Sequence, residues 1–424
     1  MTTLTRPQCS PKIALYSHDT MGLGHVRRNL LIARALADSS LKATTLLIAG
    51  VREAGAFVMP RGGDCLTLPA YRKERNGEYA PRSLSLETTS LAALRSQVIG
   101  AALKSFAPDL FIVDNVPRGA LGELTPVLDR MKDRGKTRCV LGLRDILDAP
   151  ERVLKQWRYL NNEAAIRDYY DAVWVYGDHN VYNAIEEYAF PPDLAAKSTF
   201  TGYLDPTARL GPDNGDAGPF EHLPKDVLQK GFTLCMVGGG QDGLAVTQAF
   251  ARADLPADEY GVIVTGPFLP AVQRHHLLSV VRGNPRFRVL EFVSEPMRLM
   301  RKARRVIAMG GYNTVQEILC LGKRALLVPR DRPRLEQTIR AERLRALGLL
   351  DFIVLQQCSP RTLSAWLHHE ATAPLPVLCH PLDRDGLKRL PTLAATLIGG
   401  QDPVPQTVPA PSSGLGGGLR HVIA

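Results

Sequence analysis

Three glycine-rich segments hold the residue types best suited to chemistry. The first is Met21-Gly22-Leu23-Gly24-His25, which follows an apolar run and opens a helical pattern. Glycines such as Gly22 and Gly24 let backbone approach a ligand, and a helix N-terminus offers unpaired N–H groups to an anion. A tight strand-to-helix turn with no ligand is the plain alternative. His18, Asp19 and His25 crowd this turn. A histidine there can act as general base or hydrogen-bond donor, although a lone one is more often a cap or a surface residue. Asp114 ends the run Leu110–Asp114, a favoured ligand position in an open α/β sheet; capping the next turn is an equally ordinary role.

The second segment, Gly238-Gly239-Gly240-Gln241-Asp242-Gly243, formally matches GxGxxG. A dinucleotide site also wants an acid after the next strand, about 20 residues on. That strand runs into Gly266-Pro267-Phe268, and the first half fails the same test at Gly50-Val51-Arg52. An NAD enzyme is disfavoured, while a phosphate-holding loop survives. The third segment is Gly310-Gly311-Tyr312-Asn313-Thr314-Val315-Gln316-Glu317. Asn313 and Gln316 have capping-box spacing. Thr314 and Glu317 share a helix face, where a carboxylate could accept from the vicinal hydroxyls of a ribose. Ordinary capping, with Glu317 complementing the helix dipole, is the simpler account of this element alone.

These segments need strands before them and helices after them, and the chain supplies both. Lys12–Ser17, Ala43–Ala49, Leu110–Asp114, Cys139–Arg144 and Ala172–Tyr176 read as strands separated by helical patterns such as His25–Ala37 and Ser85–Phe106. Their continuous apolar character suits parallel strands covered on both faces. Asp205–Lys225 is dense in Pro and Gly and reads as a linker. The alternation restarts at Gly231–Val237 and Gly243–Arg252, and continues through Gly261–Thr265, Phe287–Leu290, Arg305–Met309 and Ala325–Val328. The expectation is an α/β chain of two Rossmann-like domains, 1–205 and 229–398. A linker, 206–228, joins them, and a disordered Gly/Pro/Ser-rich tail, 399–424, ends the chain.

The chain has 424 residues, 45% of them apolar, enough for two domain cores. No apolar run reaches the roughly 18–20 residues of a membrane span, and residues 1–12 lack a signal-like apolar stretch. A cytoplasmic location is therefore expected. The formal charge of +10 favours anionic partners: nucleotide phosphates or an anionic membrane surface. No zinc-finger or RNA-recognition spacing points to nucleic acid. The helical stripe Leu91, Leu94, Val98, Ile99 and Ala102 could meet a membrane, but core packing explains it more simply. Seven scattered cysteines without a CxxC pair read as reduced thiols, most of them buried. Asp383-Arg384-Asp385 has the spacing of a metal-binding DxD but lies outside any strand end, so no metal site and no cofactor is expected.

Taken together, Met21–Arg34 and Arg288–Leu347 resemble the MurG-like glycosyltransferases, the lipid-linked N-acetylglucosaminyltransferases of peptidoglycan synthesis. Gly24-His25 matches that family's first loop, and Gly310-Gly311-Tyr312-Asn313-Thr314 with Glu317 its Ser-Gly-Ala-x-Thr-x-x-Glu element, with Gly310 for the Ser and Tyr312 for the Ala. Glu336-Gln337 stands where the family has a Gln pair, and Phe292-Val293 resembles its uracil-facing segment. The resemblance implies a GT-B architecture, two Rossmann-like domains facing a central cleft, and a metal-independent transfer of a hexose or N-acetylhexosamine from a nucleotide diphosphate sugar, UDP-linked, to an acceptor hydroxyl. It implies donor contacts at Gly238, Gly239, Gly240, Phe292, Val293, Gly310, Gly311, Asn313, Thr314, Glu317 and Gln337. His25 would serve as base, with Asp114 and Asp19 in reserve. Glu53–Leu84 and Arg118–Pro150 match nothing in the family, so the acceptor, whether glycan, lipid-linked or small molecule, is not inherited. A nucleotide-sugar 2-epimerase and a non-catalytic nucleotide-sugar-binding protein are the competing readings of the same fold.

Overall fold

A computed structural model describes residues 10–18, 24–74, 78–210, 220, 223–240, 242–330, 332–372 and 381–400. The first half is built on a seven-stranded parallel sheet. Its strands are β1 (Lys12–Ser17), β2 (Thr44–Ala49), β3 (Gly63–Thr67), β6 (Leu110–Asp114), β7 (Arg138–Arg144), β8 (Ala172–Tyr176) and β9 (Ser198–Phe200), with β4 (Tyr71–Lys73) and β5 (Tyr79–Pro81) forming a separate antiparallel hairpin. The spatial order is β3-β2-β1-β6-β7-β8-β9. The second half has a six-stranded parallel sheet of β10 (Phe232–Met236), β11 (Tyr260–Val264), β12 (Phe287–Leu290), β13 (Arg305–Ala308), β14 (Arg324–Leu327) and β15 (Asp351–Phe352), in the order β12-β11-β10-β13-β14-β15.

Both orders reverse direction once, between β1 and β6 and between β10 and β13. A crevice opens outside the strand ends at such a reversal, and ligands of open α/β sheets bind there. The glycine segments read from sequence fall at these two points. The strands are apolar throughout because helices cover both faces: every residue of β6, β8 and β10 is buried. Beneath the first crevice lies a buried charge pair. Arg95 donates to both carboxylate oxygens of Glu123 (2.6 and 2.8 Å), and Tyr16 on β1 donates to the same group (2.5 Å).

Four helices frame the cleft: α1 (Gly24–Asp38), α2 (Tyr312–Cys320), α3 (Glu336–Ala346) and α4 (Gly386–Ile398). Helix α4 follows the second sheet in sequence but packs against α1 in the first half, burying Leu390, Ala394 and Leu397 in a core shared with Ile32 and Leu36. The linker region begins with a 3-10 turn, Pro206–Arg209, and ends in the helix Lys225–Lys230; residues 211–219 and 221–222 lie outside the described residues, as does most of the expected tail, 401–424. Of the apolar stripe on Thr88–Phe106, Leu91 and Ile99 are fully buried, Val98 and Ala102 are half-buried and Leu94 is exposed, so only part of the stripe faces the core. No helix among the described residues is long and apolar enough to cross a membrane. Cys139 and Cys235 are buried free thiols, whereas Cys320 is only half-buried.

Candidate functional site

At the first crevice, β1 and β6 end side by side and α1 begins. This brings together the two residues that sequence offered separately as bases. His25 Nδ1 lies 2.5 Å from Asp114 Oδ2. Arg28, one turn on along α1, donates through Nη2 to Oδ1 (2.7 Å) and Oδ2 (2.6 Å) of the same carboxylate. Asp114 is fully buried, and burial alone would push its carboxyl upward; the guanidinium of Arg28 and the ring of His25 outweigh it and hold the carboxyl well below the usual range. Asp114 is thus a permanent anion at neutral pH. Its role is this double pairing and not the capping of a turn.

The tautomer of His25 follows. Two acceptor lone pairs at 2.5 Å would repel, so Nδ1 carries the proton and donates to Asp114. The 2.8 Å approach of Arg28 Nη2 to the same Nδ1 reflects two donors sharing one oxygen. Nε2 is then the acceptor nitrogen, on a side chain that keeps 21% of its exposure. His18, with its ring centroid 4.6 Å from that of His25, is held neutral: burial disfavours its cation, and His25 and the arginines Arg144 and Arg334 add to the effect. Asp19 and Gly22 lie outside the described residues. Arg28 carried no sequence signal beyond its i, i+3 spacing from His25.

The second crevice is made by glycine. Gly238, Gly240 and Gly310 have positive φ (62°, 95° and 90°), and a Cβ on Gly240 would run into the carbonyl of Thr265. Gly311 is the N-cap of α2 and has open space where a Cβ would sit. As at any helix start, the amides of its first turn have no intrahelical acceptor, which is what an anion-binding site uses. The expected Asn313–Gln316 capping box does not form. Asn313 instead donates across the cleft to the carbonyl of Gly24 (3.0 Å), and both polar atoms of the Gln316 amide are buried without partners. Tertiary contact has won over the local cap. Thr314 is half-buried, Phe292 is 50% exposed, and Val293 is buried beside it. Gln337 backs onto Gly310, and its Oε1 accepts from the Arg330 amide (3.4 Å).

Glu317 departs most from expectation. It is buried in the second half and accepts from Arg209 of the connecting turn (2.5 Å), which also reaches Glu295 (3.1 Å). Burial pushes the Glu317 carboxyl up, with Arg209 opposing. Arg209 sits in a stretch that sequence marks only as linker. Around it the two halves are closed: Arg27 donates to the Ser294 carbonyl (2.9 Å), and Tyr312 donates to the Tyr176 carbonyl (2.9 Å). The space left between Arg28, Tyr312, Asn313, Gln316 and Arg209 is about 10 Å³, room for a single water.

The Asp383-Arg384-Asp385 triplet belongs to the seam where α4 returns. Asp383 accepts from Arg389 (2.6 and 2.7 Å) and Asp385 from Lys388 (2.7 Å). Among the described residues no group of three His, Cys, Asp or Glu side chains could hold a metal.

Two parallel sheets with opposed crevices, closed by a helix that returns to the first half, define the GT-B fold. Solved structures agree over nearly the whole chain. The glycotransferase of kitacinnamycin superposes with a TM-score of 0.59 at 17% identity, covering 94% of this chain and 100% of its own. A putative UDP-N-acetylglucosamine 2-epimerase from Listeria monocytogenes gives 0.62 at 14% identity, covering 93% and 98%. The MurG of Acinetobacter baumannii gives 0.53 at 13% identity, covering 92% and 98%. A search of curated sequences finds no match. Residues 233–375 match the family model of the glycosyltransferase family 28 C-terminal domain. The second half carries that domain, within a chain of the GT-B fold.

Proposed function

We propose that the chain transfers a hexose or N-acetylhexosamine from a UDP-linked donor to an acceptor hydroxyl, with the donor in the second crevice and the acceptor in the first. The observation that carries this is the His25–Asp114 pair, next in the chain to Gly24, whose carbonyl accepts from Asn313 at the start of α2. His25 Nε2 takes the proton of the acceptor hydroxyl. The oxygen attacks the anomeric carbon, the bond from that carbon to the phosphate oxygen breaks, and the diphosphate leaves with the electron pair. Its charge would be met by the amides of Gly238–Gly240 and by the start of α2, so the step is routed through no metal. Attack from the face opposite the leaving group inverts the anomeric centre, as the family resemblance implies. An epimerase would need carboxylates converging on the sugar. Here Asp114, Glu317, Glu295 and Glu336 are each engaged by an arginine, which favours transfer.

Glu317 is the proposed partner of the ribose hydroxyls. Calorimetric titration with UDP, GDP, ADP and TDP is expected to show UDP binding, with Glu317→Ala at least tenfold weaker. Failure of all four nucleotides to bind the folded protein would sink the transferase reading. In the closed form Arg209 holds the carboxylate that the ribose would take. Arg209→Ala is therefore expected to tighten UDP binding about tenfold, since one charge-assisted hydrogen bond, worth roughly 1.5–3 kcal/mol, no longer competes. An unchanged Kd would place the ribose elsewhere.

A further inference from the structure

The second half presents two carboxylates to a single point. Arg209 Nη2 donates to Glu317 Oε1 (2.5 Å) and to Glu295 Oε1 (3.1 Å), so both oxygens lie within hydrogen-bond reach of one nitrogen. The fold fixes both carboxylates. Glu317 is buried on α2, and Glu295 caps the helix Pro296–Lys302 by accepting from the Met297 amide (3.2 Å). Arg209 is held less firmly. It is the last residue of the 3-10 turn Pro206–Arg209, its bonds to the two carboxylates both leave from Nη2, and its Nε is buried without a partner. Gln316, whose amide has both polar atoms buried and unpartnered, lines the same small cavity as Arg209.

One nitrogen that directs two N–H groups at two carboxylates has the donor pattern of a vicinal diol, whose two O–H groups leave from neighbouring carbons. An ionised carboxylate is acceptor-only and takes either donor, and hydrogen bonds to a charged acceptor are the strong kind. Arg209 thus offers Glu295 and Glu317 what a ribose offers, with one carboxylate for each hydroxyl. Two carboxylates this close repel each other once the guanidinium between them is displaced. Arg27 of α1 stays beside them, since it donates to the carbonyl of Ser294, the residue before Glu295 (2.9 Å). Glu295 also lies three residues beyond Phe292, the exposed ring of the segment expected to face the base. Base and ribose contacts then come from one short stretch of chain.

We propose that Glu295 is a second ribose carboxylate, taking one hydroxyl while Glu317 takes the other, and that the pair selects ribonucleoside over deoxyribonucleoside diphosphates. This rests on the donor site placed at Glu317 above. The test is calorimetric titration of the full chain with UDP, 2′-deoxy-UDP and 3′-deoxy-UDP. Each deoxy analogue is expected to bind wild type at least tenfold more weakly than UDP, the loss of one charge-assisted hydrogen bond. The substitutions are made on Arg209→Ala, so that removal of the competing guanidinium does not mask a lost ribose contact. In that background Glu295→Ser, which keeps a cap for the Met297 amide, is expected to weaken UDP at least tenfold and to erase the penalty for one deoxy analogue. Glu317→Ala is expected to erase the penalty for the other. Glu295→Gln, which keeps the length and the cap but not the charge, is expected to fall between Glu295→Ser and its parent. UDP binding to Glu295→Ser as tight as to its parent, or tighter, would overturn the proposal and leave Glu295 an anchor for Arg209. Equal binding of UDP and both deoxy analogues to wild type would overturn it as well. If none of the three binds the folded chain, the donor reading itself has failed and the assignment of Glu295 goes with it.

Discussion

His25→Ala is expected to lower kcat by about 10³, within the roughly 10²–10⁴ that a positioned general base contributes. UDP binding should stay within twofold of wild type, because His25 contacts neither donor loop. Asp114→Asn should cost somewhat less. The amide can still meet Nδ1, but by donating to it, which moves the proton to Nε2 and removes the acceptor nitrogen from the reacting position. Asp114 adds a stability effect whose sign is fixed by its environment. Its folded carboxyl is depressed, so the stabilisation is fully present above the ordinary carboxylate range and is lost as pH falls toward the depressed value. Activity measured between pH 5 and 9 is therefore free of Asp114 titration. Initial rates with any accepted donor–acceptor pair, or donor hydrolysis in its absence, check both substitutions. A His25→Ala enzyme within threefold of wild type would leave the pair a structural clamp.

What sequence revealed and what it missed divide along a physical line. The interior strands β1, β6 and β8 were legible to the residue, because helices on both faces force a continuous apolar run, and the edge strand β12 was legible too. The other edge strands were not. β3 (Gly-Asp-Cys-Leu-Thr), β9 (Ser-Thr-Phe) and β15 (Asp-Phe) are short and partly polar, and backbone pairing to a neighbour defines them more than side chains do. In the site, Gly238, Gly240, Gly310 and Asp114 were visible because positive φ and a strand end leave marks in a single segment. The arginines left none. Arg28 meets a carboxylate 86 positions away, Arg209 one 108 away and Arg340 one 195 away. A guanidinium on a long side chain pairs without any local pattern, so the electrostatic half of the cleft emerges only in three dimensions.

The Arg340–Asp145 pair shows how much of the cleft this hidden half controls. Both residues are fully buried, and they come from opposite halves. Arg340 on α3 donates through Nε and Nη2 to Asp145 (2.9 and 2.6 Å), and through Nη1 to the carbonyl of Gly310 (3.0 Å). One side chain therefore ties the end of β7 to the loop that begins α2. Asp145→Ala would leave a buried guanidinium without its carboxylate, a loss of about 3–5 kcal/mol. The molecule can recover part of it by separating the halves until Arg340 meets water. The expected result is a lower melting temperature together with a larger radius of gyration by solution scattering. UDP should bind more weakly, because the donor loop is no longer held. The double substitution Asp145→Leu/Arg340→Leu removes both charges and should be less destabilised than Asp145→Ala alone, since replacing a buried pair costs less than orphaning one member. A melting temperature for Asp145→Ala within about 2 °C of wild type, with unchanged scattering, would mean that α4 and the apolar seam with α1 hold the halves together without this pair.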